Sequence, residues 1–188
     1  MSLIPLGFWA ASGGGAAGAF DLLETTTLTS SASSVTFSGL DSYAANYKHL
    51  QIRGIVRSAD AGKTDNLNVK VNNSTTGYIS HRLYGNGSTV GSESNPDSTK
   101  WEFNFFPGNG ATTGAYKPII LDILDYANTS KNTTARALHG VIESNEPIRR
   151  INLDSGLWAN TAAITSISFQ MGSNILTNTR FSLYGIKG

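Results

Sequence analysis

Two short runs decide the fold class: YKHLQIRGIVR at residues 47–57 and NLNVKVN at residues 66–72. In the second run, Leu67, Val69 and Val71 alternate with polar residues. A period of two residues is typical of a β-strand that buries one face and exposes the other. Turn-favouring Asn, Ser, Gly and Asp residues bound both runs. The two runs therefore predict half-buried strands.

The chain beyond residue 20 repeats this pattern of short runs separated by turn residues. We predict roughly ten to eleven strands, which is typical of an antiparallel sandwich or barrel. The additional runs are 24–30, 33–37, 78–84, 101–106, 117–126, 134–143, 148–153, 164–171 and 180–187. Residues 85–99 are predicted to form a polar connection. The predicted fold is an all-β, antiparallel β-sandwich, jelly-roll-like, with an extended N-terminal arm.

The composition excludes several classes of protein. The chain has 188 residues, with 14 Lys and Arg against 13 Asp and Glu, and no Cys. Ser, Thr, Asn and Gly account for 77 of the 188 positions, whereas a coiled coil needs Ala, Glu, Lys, Leu and Arg in bulk. The lack of Cys excludes disulfides and cysteine metal sites. Neither a nucleic-acid nor a membrane partner is expected, because the charge is nearly neutral and no apolar run reaches about 18 residues.

Residues 1–20 differ from the rest and are predicted to be an extended docking arm with a Gly-rich tether, preceding a sandwich domain at 21–188. Pro5 and Gly7 interrupt the apolar run, and no Lys or Arg precedes it, so it does not fit a secretory signal peptide. A flexible tail is the alternative interpretation, because Gly-rich termini are usually poorly ordered. The predicted partner-binding residues of the arm are Leu3, Ile4, Leu6, Phe8 and Trp9.

A search for catalytic motifs yields no strong candidate. The sequence has no G-x-S-x-G elbow and no phosphate-binding glycine loop. Asp122 and Asp125 are the best carboxylate pair, but a spacing of three places them on opposite faces of a strand. We interpret them as polar edges of a buried strand, or as partners of Arg149 or Arg150. The chain is predicted not to be an enzyme.

The three histidines, His49, His81 and His139, lack the spacing of a metal site. His49 is interpreted as a solvated strand residue, and His81 and His139 as half-buried. No metal or cofactor is predicted.

Three aromatic residues are candidates for contacts with a partner. Trp101, Trp158 and Tyr84 could lie at a subunit interface or stack on a glycan. For Trp101 and Trp158 we favour a place in the core or at a subunit interface over a glycan platform.

Several segments together resemble a family of small β-sandwich virion structural proteins from tailed bacteriophages, of the cyanophage and marine-phage type. The segments are PLGFWAASGGG, DLLETTTLTSSASSVTFSGL, YKHLQIRGIVRS, SGLWANTAAITSISF and RFSLYGIKG. They span both ends and the middle of the chain, and none is a catalytic motif. The resemblance implies a multimeric, non-enzymatic virion component that is assembled in the host cytoplasm.

Two roles are compatible with that resemblance. The first is a capsid decoration (cement) protein, with a homotrimer favoured, that binds major capsid or tail proteins through its arm and sandwich edges. The alternative is a tail-fibre or receptor-binding module that recognises a host surface glycan. A polysaccharide depolymerase ranks below both, because no paired acids share a face.

Overall fold

The computed structural model describes residues 19–142 and 149–188. Within these ranges the chain forms twelve strands and a short 3-10 helix at Leu40–Tyr43. The strands are β1 (Phe20–Thr27), β2 (Ala32–Ser38), β3 (His49–Val56), β4 (Thr64–Val71), β5 (Tyr78–Gly85), β6 (Val90–Ser98), β7 (Trp101–Pro107), β8 (Lys117–Leu124), β9 (Thr133–Ile142), β10 (Arg149–Trp158), β11 (Ser166–Ile175) and β12 (Arg180–Ile186).

The strands form two antiparallel sheets of unequal size. The larger sheet has eight strands in the order β1-β12-β3-β8-β9-β10-β5-β6, and the smaller has four in the order β2-β11-β4-β7. The chain passes repeatedly from one sheet to the other, so strands far apart in sequence pair with each other, as in a jelly roll. The predicted all-β antiparallel sandwich is confirmed.

The core lies between the sheets and follows from the alternation of the strands. Leu50 and Ile52 of β3 and Leu67 and Val69 of β4 are fully buried. Phe169 of β11 stacks on Phe181 of β12, with ring centroids 4.4 Å apart, and so joins the two sheets. Burial of a side chain of this kind contributes about 1.5 to 3 kcal/mol. The face of each strand that carries the apolar side chains therefore determines which side of its sheet packs against the other sheet.

Strand β6 was not predicted, because residues 85–99 were expected to be a connection. It pairs with β5 and forms one edge of the larger sheet. Its sequence, VGSESNPDS, lacks an apolar alternation since an edge strand with two polar faces needs none. The turn before it is held by the Asn86 side chain, which accepts hydrogen bonds from the backbone N–H groups of Ser88 and Thr89.

Strand β7 departs from strict alternation, which would place Trp101, Phe103 and Phe105 on one face. Phe105 has a φ of +63°, the left-handed conformation, and the register with β4 shifts nearby. The shift takes Phe105 out of the core phase and places Phe106 there instead, fully buried. A strict alternation cannot predict such a bulge.

The N-terminal end of the described chain lies at the other edge of the larger sheet. Phe20 begins β1, which pairs only with β12 among the described strands. The predicted arm residues Leu3, Ile4, Leu6, Phe8 and Trp9 lie outside the described residues. In the part of the chain that the structure describes, no helix is long and apolar enough to cross a membrane.

Candidate functional site

Strand β5 has an inverted polarity. Its outward residues Ile79 and Leu83 are 40% and 52% exposed, whereas its inward residues Tyr78 and Arg82 are buried. A sandwich strand usually buries its aliphatic phase and exposes its charges. On β5 the charged side chain of Arg82 instead lies inside the sandwich, and the aliphatic side chains lie outside.

The neighbouring strand β10 shows the same inversion. Asn152 and Asp154 point inward and are buried, while Ile151 and Leu153 point outward and are 59% and 51% exposed. Aliphatic exposure forgoes a burial free energy of about 25 cal/mol per Å². Two adjacent strands thus present aliphatic side chains to the outside of the larger sheet.

These side chains join others on β8 and β9 to form one surface, which we call the aliphatic face. In one row across four strands, Ile120 lies opposite Leu138, Leu138 opposite Leu153, and Leu153 opposite Leu83. Side chains directly opposite in an antiparallel sheet have Cβ atoms about 5 Å apart, so the row is continuous. The aliphatic face consists of Ile79, Leu83, Val90, Ile120, Leu124, Leu138, Ile151 and Leu153, all exposed by at least 38%.

The polar side chains Gln51, Asp122 and Arg136 form a polar row across neighbouring strands of the same surface. The two charged side chains of this row are paired with each other. The Asp122 carboxylate accepts hydrogen bonds from Gln51 Nε2 at 2.6 Å and from Arg136 Nε at 2.9 Å. The predicted partners, Arg149 and Arg150, are not those that Asp122 uses. The polar row therefore adds little unpaired charge to this surface.

Asp125, the other member of the predicted acid pair, lies beyond the end of β8 in a left-handed turn with φ +49°. Its carboxylate binds the Lys131 ammonium, which holds the pKa of Asp125 below its usual value. Its backbone N–H donates to His49 Nδ1 at 2.9 Å. The two acids serve separate local contacts, although they do not lie on opposite faces of one strand as predicted, because β8 ends at Leu124.

The inward charges of β5 and β10 meet in a buried network. Arg82 Nε donates to Asp154 Oδ1 at 2.6 Å, and His139 Nε2 lies 2.9 Å from Asp154 Oδ2. The Asn152 amide lies 3.3 Å from His139 Nδ1. Burial lowers the pKa of His139 to about 4, although Asp154 opposes the shift. His139 is therefore neutral at pH 7, while Asp154 is paired with Arg82.

Lys117 adds a second buried cation close to this network. Its ammonium donates to the carbonyls of Asn104 at 2.9 Å and Phe105 at 3.3 Å, and lies 4.9 Å from the centre of the Phe106 ring. Burial lowers the pKa of Lys117 to about 7. The side chain is fully buried, so a substrate cannot reach its amine in the folded protein.

A polar cleft of about 230 Å³ lies beside the network, at the edge formed by β5, β6 and β7. Glu93 stands at this cleft and binds Arg82 Nη1 at 3.2 Å and Arg150 Nη2 at 2.8 Å. The Arg150 guanidinium in turn lies 3.4 Å from the centre of the Tyr84 ring. One face of Tyr84 is thus occupied within the chain and is closed to a stacking sugar.

Trp101 and Trp158, the two tryptophans considered as candidates for contacts with a partner, are core residues. Trp101 and Trp158 are 1% and 2% exposed, and Trp101 Nε1 donates to the Leu157 carbonyl at 3.3 Å. Tyr78 packs edge-on against Trp101, with ring centroids 5.5 Å apart. The interface and glycan interpretations of both tryptophans are wrong, because neither side chain reaches the surface. The competing core interpretation applies to them.

The histidines lie apart from one another. His49, predicted to be solvated, is half-buried at a strand end. His81 and His139 were both predicted to be half-buried, but His81 is exposed and His139 is fully enclosed. Among the described residues, no three His, Asp or Glu side chains form a group that could hold a metal ion.

Sequence reasoning missed the aliphatic face and the buried network together. The only available signal was that Arg82 and Asp154 fall in the same phase as buried aromatics of their strands, Tyr78 and Trp158. Alternation identifies two faces but does not state which one is buried when both contain large side chains.

Comparison with known proteins adds nothing to the description of the fold or of the site. No protein-family model matches the chain, and no curated protein matches it in sequence. A solved mutant alginate lyase in complex with an alginate tetrasaccharide is similar over 87% of this chain and 80% of that chain, at 10% identity and a TM-score of 0.28. A likeness this low carries no argument about function.

Proposed function

We propose that this chain is a structural protein of a bacteriophage virion, in particular a capsid decoration protein that binds the particle and stabilises it. The observation that carries the proposal is the aliphatic face on the outside of the larger sheet. Exposed apolar patches of this extent are typical of surfaces that bind another protein. The resemblance of the five sequence segments to virion proteins supplies the biological setting.

The two groups with the most displaced pKa values fit a structural role better than a catalytic one. Among the described residues, Lys117 and His139 have the pKa values furthest displaced from their ordinary range, and both are buried. Displaced pKa values occur at active sites and in structural ion networks alike. A catalytic group must reach its substrate, whereas a buried network stabilises one packing of the sheets. The network therefore fits a structural role.

In this proposal the protein acts through several surfaces at once. The aliphatic face joins copies of the protein, and the arm at residues 1–20 and the sandwich edges β1 and β6 bind neighbouring capsid or tail proteins. Many weak contacts of this kind give strong binding when the copies are held in one array. No cofactor takes part, and the particle is assembled in the host cytoplasm.

Immunogold electron microscopy of purified particles tests the proposal. Antibody raised against the recombinant sandwich is expected to label the heads of the phage that encodes the chain. Antibody pre-adsorbed with the recombinant protein is the control and should give no label. Label confined to the tail would favour the tail-fibre alternative, and particles without label would contradict a virion role.

A further inference from the structure

The outer side of the larger sheet is divided into two halves of different chemistry. On the β1-β12-β3 half, the Arg53 guanidinium lies 4.9 Å from the Phe20 ring centre and 5.1 Å from that of Tyr184. Thr25 donates to Ser182 at 3.0 Å beside them. The Arg53 guanidinium thus covers Phe20 and Tyr184 from within the chain, while Leu22 and Ile55 on that half remain 58% and 42% exposed. The β8-β9-β10-β5-β6 half carries the aliphatic face, and no described element packs against it.

The aliphatic face is broad as well as apolar. Five strands spaced about 4.8 Å apart and about eight residues long give it an area of about 600 Å². A standard protein interface buries about 800 Å² per partner. An extended peptide would cover the width of one strand, about 5 Å. A surface of this width is therefore suited to another sheet rather than to a single strand of chain.

The charge on this surface points to the same kind of occupant. The eight residues that define the aliphatic face are all uncharged, and the Asp122 carboxylate is satisfied by Gln51 and Arg136. The exposed guanidinium groups of Arg136 and Arg149 lie in the same phase, but a partner with many charges would lose their hydration over the aliphatic side chains. Another broad, neutral, aliphatic sheet face is the matching surface, and every copy of this chain carries one.

We propose that the aliphatic face is covered by a second copy of this chain, which packs the β8-β9-β10-β5-β6 half of its own larger sheet against it. Sheets that pack face to face lie about 10 Å apart and interdigitate their side chains. Leu138, Leu153 and Leu83 lie in the middle of the contact. The inference deepens the proposed assembly function and rests on it, but self-association can be measured without any particle.

The test compares two substitutions in the full-length protein. Leu153→Glu places a charge in the middle of the proposed contact, and Leu22→Glu places the same charge on β1, where Leu22 is 58% exposed at the opposite edge of the same sheet. Because the contact joins the same face of two copies, sedimentation equilibrium should give a dimer, rather than the homotrimer favoured from the resemblance, for the wild type and for Leu22→Glu. Leu153→Glu should be a folded monomer, with association weakened about 100-fold or more.

Three results would overturn the proposal. The first is a wild type that stays monomeric up to its solubility limit. The second is a folded Leu153→Glu protein that associates as strongly as the wild type. The third is a monomer that binds an apolar dye only after residues 1–18 are removed, which would assign the aliphatic face to the arm.

If Leu153→Glu fails to fold by circular dichroism, Leu83→Glu replaces it under the same criteria, because Leu83 is 52% exposed on the next strand.

This outcome is separable from that of the proposed function. Oligomers that Leu153→Glu disrupts, together with particles that carry no label, would retain the self-association and reject the virion role. Labelled particles with a monomeric protein would do the reverse.

Discussion

At the residue scale, Lys117 is the side chain whose environment most opposes its ordinary charge. In the unfolded chain its pKa is 10.5, and in the folded protein burial lowers it to about 7. Between these two values the unfolded chain holds a proton that the folded protein lacks, so the free energy of unfolding rises with pH. Below pH 7 both states are protonated, and the folded protein bears the full cost of a buried charge.

We therefore predict that Lys117→Met stabilises the protein below pH 7, by a few kcal/mol at most. The gain should shrink as the pH rises towards 10.5, because the wild-type amine is then neutral in both states. Above that range the variant should be slightly less stable, since the carbonyls of Asn104 and Phe105 lose a donor. Urea unfolding at a series of pH values measures this.

An exposed lysine supplies the control. Lys48→Met should not reproduce the stability change of Lys117→Met between pH 7 and 10.5, because Lys48 is exposed. A Lys117→Met protein that is less stable than the wild type below pH 7 would show that the charge of Lys117 is compensated in the folded state.

The wild type and Lys117→Met should both lose stability as the pH falls from 6.5 towards 4. The reason is that His139 has a pKa of about 4 in the folded protein, so the unfolded chain takes up a proton there that the folded protein does not.

At the element scale, one buried arginine holds the long connection before β8. Arg57 donates through Nη1 to the carbonyls of Thr112 and Ala115, and through Nη2 to those of Asn109 and Ala111, at 3.0 to 3.4 Å. The guanidinium can serve four acceptors because its donors form a planar fork, which a lysine ammonium lacks.

Arg57→Lys should therefore loosen this loop without unfolding the sandwich. We expect a loss of about 1 to 3 kcal/mol in stability, because the buried Ala111 carbonyl and three part-buried carbonyls lose donors. Hydrogen exchange of the backbone amides at 109–115 should become faster, while that of β3 and β4 stays slow. Arg53→Lys on the neighbouring strand is the matched control. Unchanged exchange at 109–115 in Arg57→Lys would show that the loop is held by other contacts.

The elements also show what the sequence can and cannot predict. β3 and β4 were predicted to within two residues at each end, because Leu50, Ile52, Leu67 and Val69 alternate with polar side chains and one face alone is buried. β6 was missed since neither of its faces enters the core. β10 was predicted to end at residue 153 but continues to Trp158, because pairing with β5 and β9 outweighs the weak strand preference of Ser155 and Gly156.

The candidate site was predicted less well than the fold, for a physical reason. Alternation separates Ile79 and Leu83 from Tyr78 and Arg82 on β5, but it does not decide which of the two faces points outward. The orientation of β5 depends on the ion pair between Arg82 and Asp154, which lie 72 residues apart in the chain. A long-range ion pair of this kind leaves no local pattern. Trp101 and Trp158 likewise became core residues through packing that no local motif encodes.

At the scale of the whole molecule, the sandwich and the arm are expected to separate in function. The core is built from residues within 19–142 and 149–188, and β1 begins at Phe20. A chain lacking residues 1–18 should therefore retain the wild-type circular dichroism spectrum and melting temperature. It should no longer join the particle, because Leu6, Phe8 and Trp9 are missing. Binding to particles assembled without the protein measures this.

A control variant distinguishes the arm's apolar residues from its length. Replacing Leu6, Phe8 and Trp9 with Ser in the full-length chain should abolish binding as the truncation does. Incorporation of the truncated chain at the wild-type level would show that the sandwich alone binds the particle and that the arm has no docking role.

The central claim is that this molecule functions by assembly in a virion, and the number of copies per particle tests it most directly. Quantitative mass spectrometry of purified virions with isotope-labelled peptides from the sandwich gives that number relative to the major capsid protein. A decoration protein should be present at a copy number comparable with that of the major capsid protein. A copy number typical of a tail fibre would reject the decoration role, and absence from purified virions would contradict the account as a whole.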